Sequence, residues 1–214
     1  MDQILLINKP KGISSAQVVN LVKQKYKVKV GHAGTLDPQA SGLLIVLTGK
    51  KTKEASHFLK LPKIYEVEAI LGIRTDTFDL EGRILQTNLR RVSRLELEQV
   101  LKKFQGEIWQ TPPFYSAKKI KGQPAYKLAR RGQKIILKPQ KVTIYSLKLL
   151  SFRYPEFKLI LNVSSGFYVR SFINEIGIAL GVGATVKNIK RLAIGPYRLD
   201  EAQTLEAILD KSPR

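Results

Sequence analysis

Gly31-His32-Ala33-Gly34-Thr35-Leu36-Asp37-Pro38-Gln39-Ala40-Ser41-Gly42-Leu43-Leu44 holds one carboxylate among three glycines, a proline and small residues. Glycine admits backbone angles that other residues resist and lets another group approach the main chain closely. A carboxylate in such a loop can be aimed and kept still. The run Leu43-Leu44-Ile45-Val46-Leu47 follows at once and reads as a buried strand that anchors the loop to a core. Asp37-Pro38 taken alone would only start a turn. The whole stretch is more than turn-making requires.

Upstream, Ile4-Leu5-Leu6-Ile7 predicts a strand that turns at Asn8-Lys9-Pro10-Lys11-Gly12. Ser14 or Ser15 caps a helix to about Tyr26, with Val18, Val22 and Tyr26 on one face. Lys9 and Lys11 are loop charges that either brace the Asp37 loop or meet a phosphate. Downstream, Lys50 to Leu59 reads as a helix with Ala55, Phe58 and Leu59 inward, and His57 on it receives no role. In the strand Lys63 to Leu71, Tyr65, Val67, Ala69 and Leu71 share one side. A tyrosine so placed is ordinarily core. Thr75 to Gly82 has three acids but lacks the spacing of a calcium loop, so it reads as a capped turn. Ser93 and Glu96 form a capping box for a helix that packs Leu97, Val100, Leu101 and Phe104 and stops at Gly106.

Thr111 to Pro124 mixes prolines, aromatics and lysines, and a brief helix from Ala125 to Arg131 ends at Gly132. Every charged residue from Lys118 to Lys141 is basic, with Phe114, Tyr115 and Tyr126 close by. Cations interleaved with aromatics suit nucleic acid, and this segment reads as an excursion that grips phosphates. Lys141 to Leu150 and Phe157 to Ser164 form a hairpin. Ser165-Gly166 then turns into a helix that runs to Leu180 and closes at Gly181. Arg170 sits just after that turn among apolar neighbours, where a guanidinium needs an acid or an open mouth. Alone it would be a structural ion pair. A last strand and turn at Lys190 to Pro196 and a helix capped by Thr204 complete the chain.

The 214 residues, 43% hydrophobic, suit one globular domain. Lys and Arg number 37 against 17 Asp and Glu, a net charge of +20 that favours a polyanionic partner. The cations are spread along the chain rather than gathered on one amphipathic helix, which favours nucleic acid over a membrane. Without cysteine there is no disulfide, thiol nucleophile or cysteine-built zinc site. His32 and His57 stand 25 positions apart with no ligand pattern, so neither metal nor cofactor is expected. No apolar run approaches a membrane span and no signal peptide opens the chain, so the expected compartment is the cytoplasm.

These pieces, in their order, resemble the bacterial TruB family of pseudouridine synthases. Asn8 to Ser15 is similar to the family's first motif and Gly31 to Leu44 to its second. Lys63-Ile64-Tyr65 resembles the segment with its active-site tyrosine, and Ser164 to Ser171 the segment with its arginine. Arg191-Leu192-Ala193-Ile194-Gly195 resembles its last motif. Pro113 to Lys118 and the basic stretch after it resemble the insertion that holds the tRNA T-arm.

The resemblance implies an enzyme that converts uridine to pseudouridine at position 55 in the T-loop of tRNA, flipping the base, detaching uracil and rejoining it through carbon. Asp37 matches the catalytic aspartate. Tyr65 matches the tyrosine that packs on the base and assists proton removal. Arg170 matches the arginine paired with the aspartate. His32 matches the histidine that holds the opened loop, and Leu192 an apolar residue of the pocket. Lys9, Lys118, Lys119, Lys121, Arg130 and Arg131 are the expected RNA-binding cations. A carboxylate beside a breaking glycosidic bond can stabilise the developing charge or attack the carbon. An adjacent Arg170 would keep Asp37 ionised.

The implied fold is α+β: a mixed, mainly antiparallel central sheet flanked by helices. The expected layout is a single catalytic domain over residues 1–214 with an RNA-binding insertion at about 110–141, acting as a monomer. Family members typically continue into a small C-terminal RNA-binding domain, expected to be absent from a chain ending at Arg214. The competing readings are a non-catalytic RNA-binding or tRNA-folding protein and a structural ribosomal component.

Overall fold

The structure, a computed structural model, describes residues 2–116, 118–120, 122–131, 133 and 136–210. In chain order the elements are β1 (Ile4–Lys9), α1 (Ser15–Tyr26), β2 (Val30–His32), β3 (Ala40–Thr48), α2 (Ala55–Lys60), β4 (Lys63–Leu71), β5 (Ile73–Thr75) and β6 (Ile84–Thr87). Then come α3 (Arg94–Lys102), β7 (Gly106–Gln110), β8 (Lys119–Ile120), β9 (Gln123–Pro124), α4 (Ala125–Arg130), β10 (Gln140–Arg153) and β11 (Glu156–Val163). The last are α5 (Val169–Ala179), β12 (Ala184–Ile194), β13 (Tyr197–Arg198), β14 (Gln203–Thr204) and α6 (Leu205–Asp210). They divide into two compact units, residues 1–66 with 189–214, and residues 67–188. The expected α+β class with a mixed, mainly antiparallel sheet holds: β1–β3, β2–β3, β12–β13, β5–β6, β8–β9, β7–β10 and β10–β11 pair antiparallel, and β1 with β14 and β3 with β12 pair in parallel.

In the first unit β3 is the central strand, and its composition explains why. Leu44 and Val46 pack with Ile7, Val18, Val22, Leu205 and Ile208, so α1 and α6 cover one face. Leu43, Ile45 and Leu47 pack with Ala33, Phe58 and Ile194 on the other face, where α2 lies. A strand covered on both faces cannot alternate polar and apolar residues, hence the unbroken run Leu43–Leu47. Burying each of these side chains fully contributes about 2 kcal/mol. β1 pairs antiparallel with β3 from Ile4↔Leu47 to Lys9↔Gly42, and β12 pairs with β3 in parallel at Ala40↔Ile189 and Gly42↔Arg191. α1 begins at a capping box in which Ser14 accepts from the Gln17 amide and the Gln17 side chain answers at the Ser14 amide.

In the second unit β11, β10 and β7 form an antiparallel run. Phe157, Leu159, Leu161 and Val163 of β11 are buried, as are Val142 and Ile144 of β10. Helix α3 contributes Leu97, Val100 and Leu101 to the core and α5 contributes Phe172, Ile173 and Ile176. The segment between β7 and β10 leaves and rejoins the sheet at one rung, Gln110↔Gln140. That rung closes the basic excursion.

Two local expectations change, and a third falls outside the described residues. Residues 49–54 form a 3-10 segment, and only Ala55–Lys60 is α-helical. Three residues per turn shift the phase of the next helix, so Phe58 points inward while Leu59 is 45% exposed. Helix α3 ends at Lys102, and Gly106 opens β7 instead of stopping the helix. Phe104 lies between them with its ring edge-on to Phe172 at 5.3 Å. Gly132, expected to end α4, lies outside the described residues.

Gly42 sits between β1 and β12 at φ +103, and a Cβ there would stand 2.3 Å from the Arg191 carbonyl oxygen. Gly12, at φ +90, would leave a Cβ with nothing within 4 Å. Gly42→Ala should therefore cost about 3 kcal/mol or more in urea unfolding, and Gly12→Ala only about 1 kcal/mol. Equal losses would show that backbone angle, not the close approach, governs position 42.

Candidate functional site

The loop from Ala33 to Gln39 joins β2 to β3 and is held by its main chain. At its start the Ala33 amide donates to the Ile45 carbonyl at 2.9 Å, and at its end the Ala40 amide donates to the Asp37 carbonyl at 3.0 Å. Between them the Leu36 amide donates to Ser15 Oγ at 2.9 Å, and that hydroxyl donates back to the Leu36 carbonyl at 3.0 Å. The Gly12 amide donates to the Pro38 carbonyl at 2.8 Å. Asp37 itself is half-buried.

Two buried cations complete this clamp. Arg191 on β12 is 1% exposed. Its Nε donates to the Leu43 carbonyl at 2.8 Å and its Nη2 to the Gly34 carbonyl at 3.0 Å, with Nη1 at 3.5 Å from the Thr35 carbonyl. One planar guanidinium thus grips the chain on both sides of Asp37. Lys9 on β1 is fully buried. Its Nζ donates to the carbonyls of Pro10 at 2.8 Å, Ile13 at 2.6 Å and Pro38 at 3.3 Å. Of the two sequence readings for Lys9, bracing the loop is the one its geometry carries, because an enclosed ammonium with three carbonyl partners cannot also reach a phosphate.

Burial pushes Lys9 down to about 8, with Asp37 acting in the opposite direction and Arg191 adding to the fall. Lys63, at the head of β4, is likewise pushed down to about 8 by burial and then by Arg191. Its Nζ donates to the carbonyls of Leu59 at 2.6 Å and Leu61 at 2.7 Å. His32 is lowered by burial and by Arg191, which keeps the imidazole neutral near pH 7, and its Nδ1 has no hydrogen-bond partner among the described residues. Tyr65 is buried on β4 two residues beyond Lys63, and Leu192 is half-buried on β12 next to Arg191.

Arg170 belongs to the second unit, in the first turn of α5, and is 7% exposed. Its Nη1 donates to the Thr77 carbonyl at 2.8 Å and lies 3.4 Å from Asp79 Oδ2, and its Nη2 donates to the Tyr115 carbonyl at 2.7 Å. Asp79 is fixed in turn, since its Oδ1 accepts from Thr77 Oγ1 at 2.6 Å and from the Glu81 amide at 3.1 Å. The polar stretch read as a capped turn is one, and it supplies an acid to Arg170. The stem of the excursion is stitched along the start of α5. The Tyr168 amide donates to Gln110 Oε1 at 2.7 Å, and Ser171 Oγ donates to the Thr111 carbonyl at 2.8 Å. Lys118 Nζ donates to Gln140 Oε1 at 2.9 Å, and Gln140 Nε2 to the Gly166 carbonyl at 2.6 Å. Arg131 is exposed. Lys119 and Arg130 belong to β8 and α4, and Lys121 lies outside the described residues.

Sequence reading missed Arg191, Ser15, Lys63 and Asp79 as individuals. Arg191, Ser15 and Lys63 stood within quoted motifs, whereas Asp79 stood only as one of three acids in the 75–82 turn.

An ammonium with a folded pKa below its unfolded one leaves the unfolded chain holding more protons between the two values, so stability rises with pH there. For Lys9 that window runs from about 8 to about 10.5. Against Lys9→Met, which has nothing to titrate, the unaltered chain should gain stability through that window in urea unfolding. A constant difference from pH 7 to about 10 would show that Lys9 titrates normally.

Three comparisons bear on this constellation. Residues 20–169 match the family model described as TruB family pseudouridylate synthase (N terminal domain). A tRNA pseudouridine synthase B of Aquifex aeolicus is 49% identical over 212 residues, which is 98% of this chain and 74% of that protein. Another, of Clostridium kluyveri, is 42% identical over 96% of this chain and 72% of its own length. Among solved structures, a chain of a Cbf5-Nop10-Gar1 complex aligns with TM-score 0.76 and 30% identity, covering 97% of this chain and 53% of that one. A chain of an H/ACA RNP bound to a substrate RNA containing 2'-deoxyuridine aligns with TM-score 0.73 and 28% identity. The present chain spans about half the length of these structural neighbours.

Proposed function

The chain belongs to the TruB family of pseudouridylate synthases, and from that membership we propose that it isomerises uridine to pseudouridine in tRNA, at position 55 of the T-loop. The observation that carries this reading is the clamp on residues 33–43, which fixes one carboxylate through its backbone and sets Lys9 where Asp37 acts on its charge. In the reaction the C1′–N1 bond breaks, the uracil turns, and a C1′–C5 bond forms. The C5 hydrogen leaves as a proton and N1 ends protonated. Substrate and product are isomers, so no oxidant, reductant or co-substrate enters the balance.

Asp37 is assigned the carboxylate that stabilises or attacks the ribose carbon as the bond breaks. Tyr65 is assigned to the target base and Arg170 to steadying the carboxylate, with His32 holding the opened loop and Leu192 lining the pocket. The target base is stacked in folded RNA, and extruding it costs a few kcal/mol. Phosphate contacts from the basic excursion offset that cost. The chain is proposed to act as a monomer in the cytoplasm on the T-arm. Among the described residues no helix is long and apolar enough to cross a membrane.

Asp37→Asn removes the charge while keeping shape and hydrogen-bonding capacity. Pseudouridine formation on unmodified tRNA should fall at least about 10³-fold, with tRNA affinity changed less than about threefold. An Asn variant that still converts uridine would refute the assigned chemistry. An unaltered chain that binds tRNA but leaves no pseudouridine would favour the RNA-binding or tRNA-folding alternative, which the names of the relatives do not.

The excursion is tested separately. Lys127, Arg131 and Lys138 are exposed there. Replacing all three by Gln should weaken tRNA binding and flatten the dependence of log K on log salt by about 2. An unchanged slope would place the phosphate contacts elsewhere.

A further inference from the structure

The first unit carries a second basic surface that the catalytic motifs do not include. Lys23 and Lys25 lie in the last turn of α1, Lys27 caps that helix, and Lys29 precedes β2. Lys50, Lys51 and Lys53 lie on the 3-10 segment after β3. Strand pairing draws the two stretches together. Val30 stands opposite Thr48, and the Gly49 amide donates to the Lys29 carbonyl at 2.7 Å. Of these seven, only Lys51 meets an acid, with Glu54 Oε1 at 2.7 Å. The Asp2 carboxylate accepts from the Lys50 backbone amide. Among the described residues, Lys23, Lys25, Lys27, Lys29, Lys50 and Lys53 have no side-chain partner.

In the second unit several cations are paired. There Arg90, Arg94, Lys141, Lys158 and Lys187 each meet a glutamate at 2.6–2.8 Å. A helix dipole accounts for Lys23 and Lys25, since it favours cations within the last turn. It does not extend to Lys50 and Lys53. Nor does backbone preference explain Lys27, which sits at φ 51 and ψ 33. That left-handed position at a helix end is one glycine fills without strain. The surface therefore gathers like charge at a cost in local stability and with no internal return.

We infer that this lysine surface binds the phosphodiester backbone of the tRNA substrate, as a contact separate from the basic excursion. The inference rests on the proposed function for the identity of the RNA. Lysine presents a compact charge on a flexible stem, which suits phosphates along a backbone rather than base edges. A membrane fits less well, because the apolar face of α1, with Val18 and Val22, is already buried against the sheet. A protein partner would want an aromatic or aliphatic anchor. Among the described residues of the first unit, the one exposed large hydrophobic side chain is Leu59, outside both lysine stretches.

The test compares two quadruple variants with the unaltered chain. Lys25, Lys27, Lys50 and Lys53 become Gln in one, and Lys102, Lys103, Lys148 and Arg153 of the second unit become Gln in the other. Binding of a full-length tRNA transcript is followed from about 50 to 200 mM salt, and turnover is measured at saturating tRNA. The first variant should bind at least about tenfold more weakly at about 100 mM salt, with a slope of log K against log salt shallower by about 2 or more. Its kcat should be unchanged, and its melting temperature should hold or rise as the like charges are removed. The control variant should keep its slope within about 1 of the parent.

An unchanged slope in the first variant overturns the proposal, and so does an equal loss in the control, which would report net charge rather than a surface. Loss of binding to phosphatidylserine vesicles with tRNA binding intact would transfer the surface to a membrane and also overturn it. Should the unaltered chain form no pseudouridine, the proposed function fails while the binding slopes still decide this inference.

Discussion

A guanidinium with no water around it must find its hydrogen bonds in protein, and in the first unit Arg191 finds them on the backbone that carries Asp37. Taking a cation out of water costs several kcal/mol even after relaxation. Carbonyl oxygens at Gly34, Thr35 and Leu43 offset that cost, and because they flank Asp37 on both sides their positions become fixed as well. Much of the unit follows from this demand. β12 must lie against β3 at Arg191, so Gly42 must lack a side chain. Lys9 and the Ser15 hydroxyl then close the loop from the β1–α1 side.

The same arrangement shapes the electrostatics around Asp37. Arg191, Lys9, Lys63 and His32 lie close enough for charge to be felt among them, and both lysines are pushed down to about 8 by burial. The lysines stay mostly protonated near neutral pH because main-chain carbonyls surround them. His32 stays neutral. The Asp37 loop is held by its backbone, with the Lys9 ammonium near enough to feel the Asp37 charge.

Arg170 follows a parallel logic in the second unit. Its guanidinium ties the 77–79 turn and the stem of the excursion to the first turn of α5. The excursion is closed at the Gln110↔Gln140 rung and stitched through Gln110, Thr111 and Gln140 to the residues around Gly166 and Ser171. The basic segment is thus rooted on the element that bears Arg170, while Lys127, Arg131 and Lys138 on it are exposed.

Much of this was legible along the chain, because periodicity, capping boxes and the Gly31–Leu44 loop are local patterns. β3 showed as an unbroken apolar run, α1 and α3 through Ser14 and Ser93, and the β10–β11 hairpin through alternation. Asp37, Tyr65 and Arg170 stood out through their motifs. What only tertiary structure decided is which polar groups are buried together. Lys9 looked like a loop cation and is enclosed, and Arg191 looked like one letter of a motif and grips the loop from 148 residues beyond Leu43. Asp79 became the acid beside Arg170, and two lysine stretches separated in sequence became one surface. A charged residue reads the same in sequence whether solvated or buried. Its partners are chosen by strand pairing across long separations, and no local pattern encodes that choice.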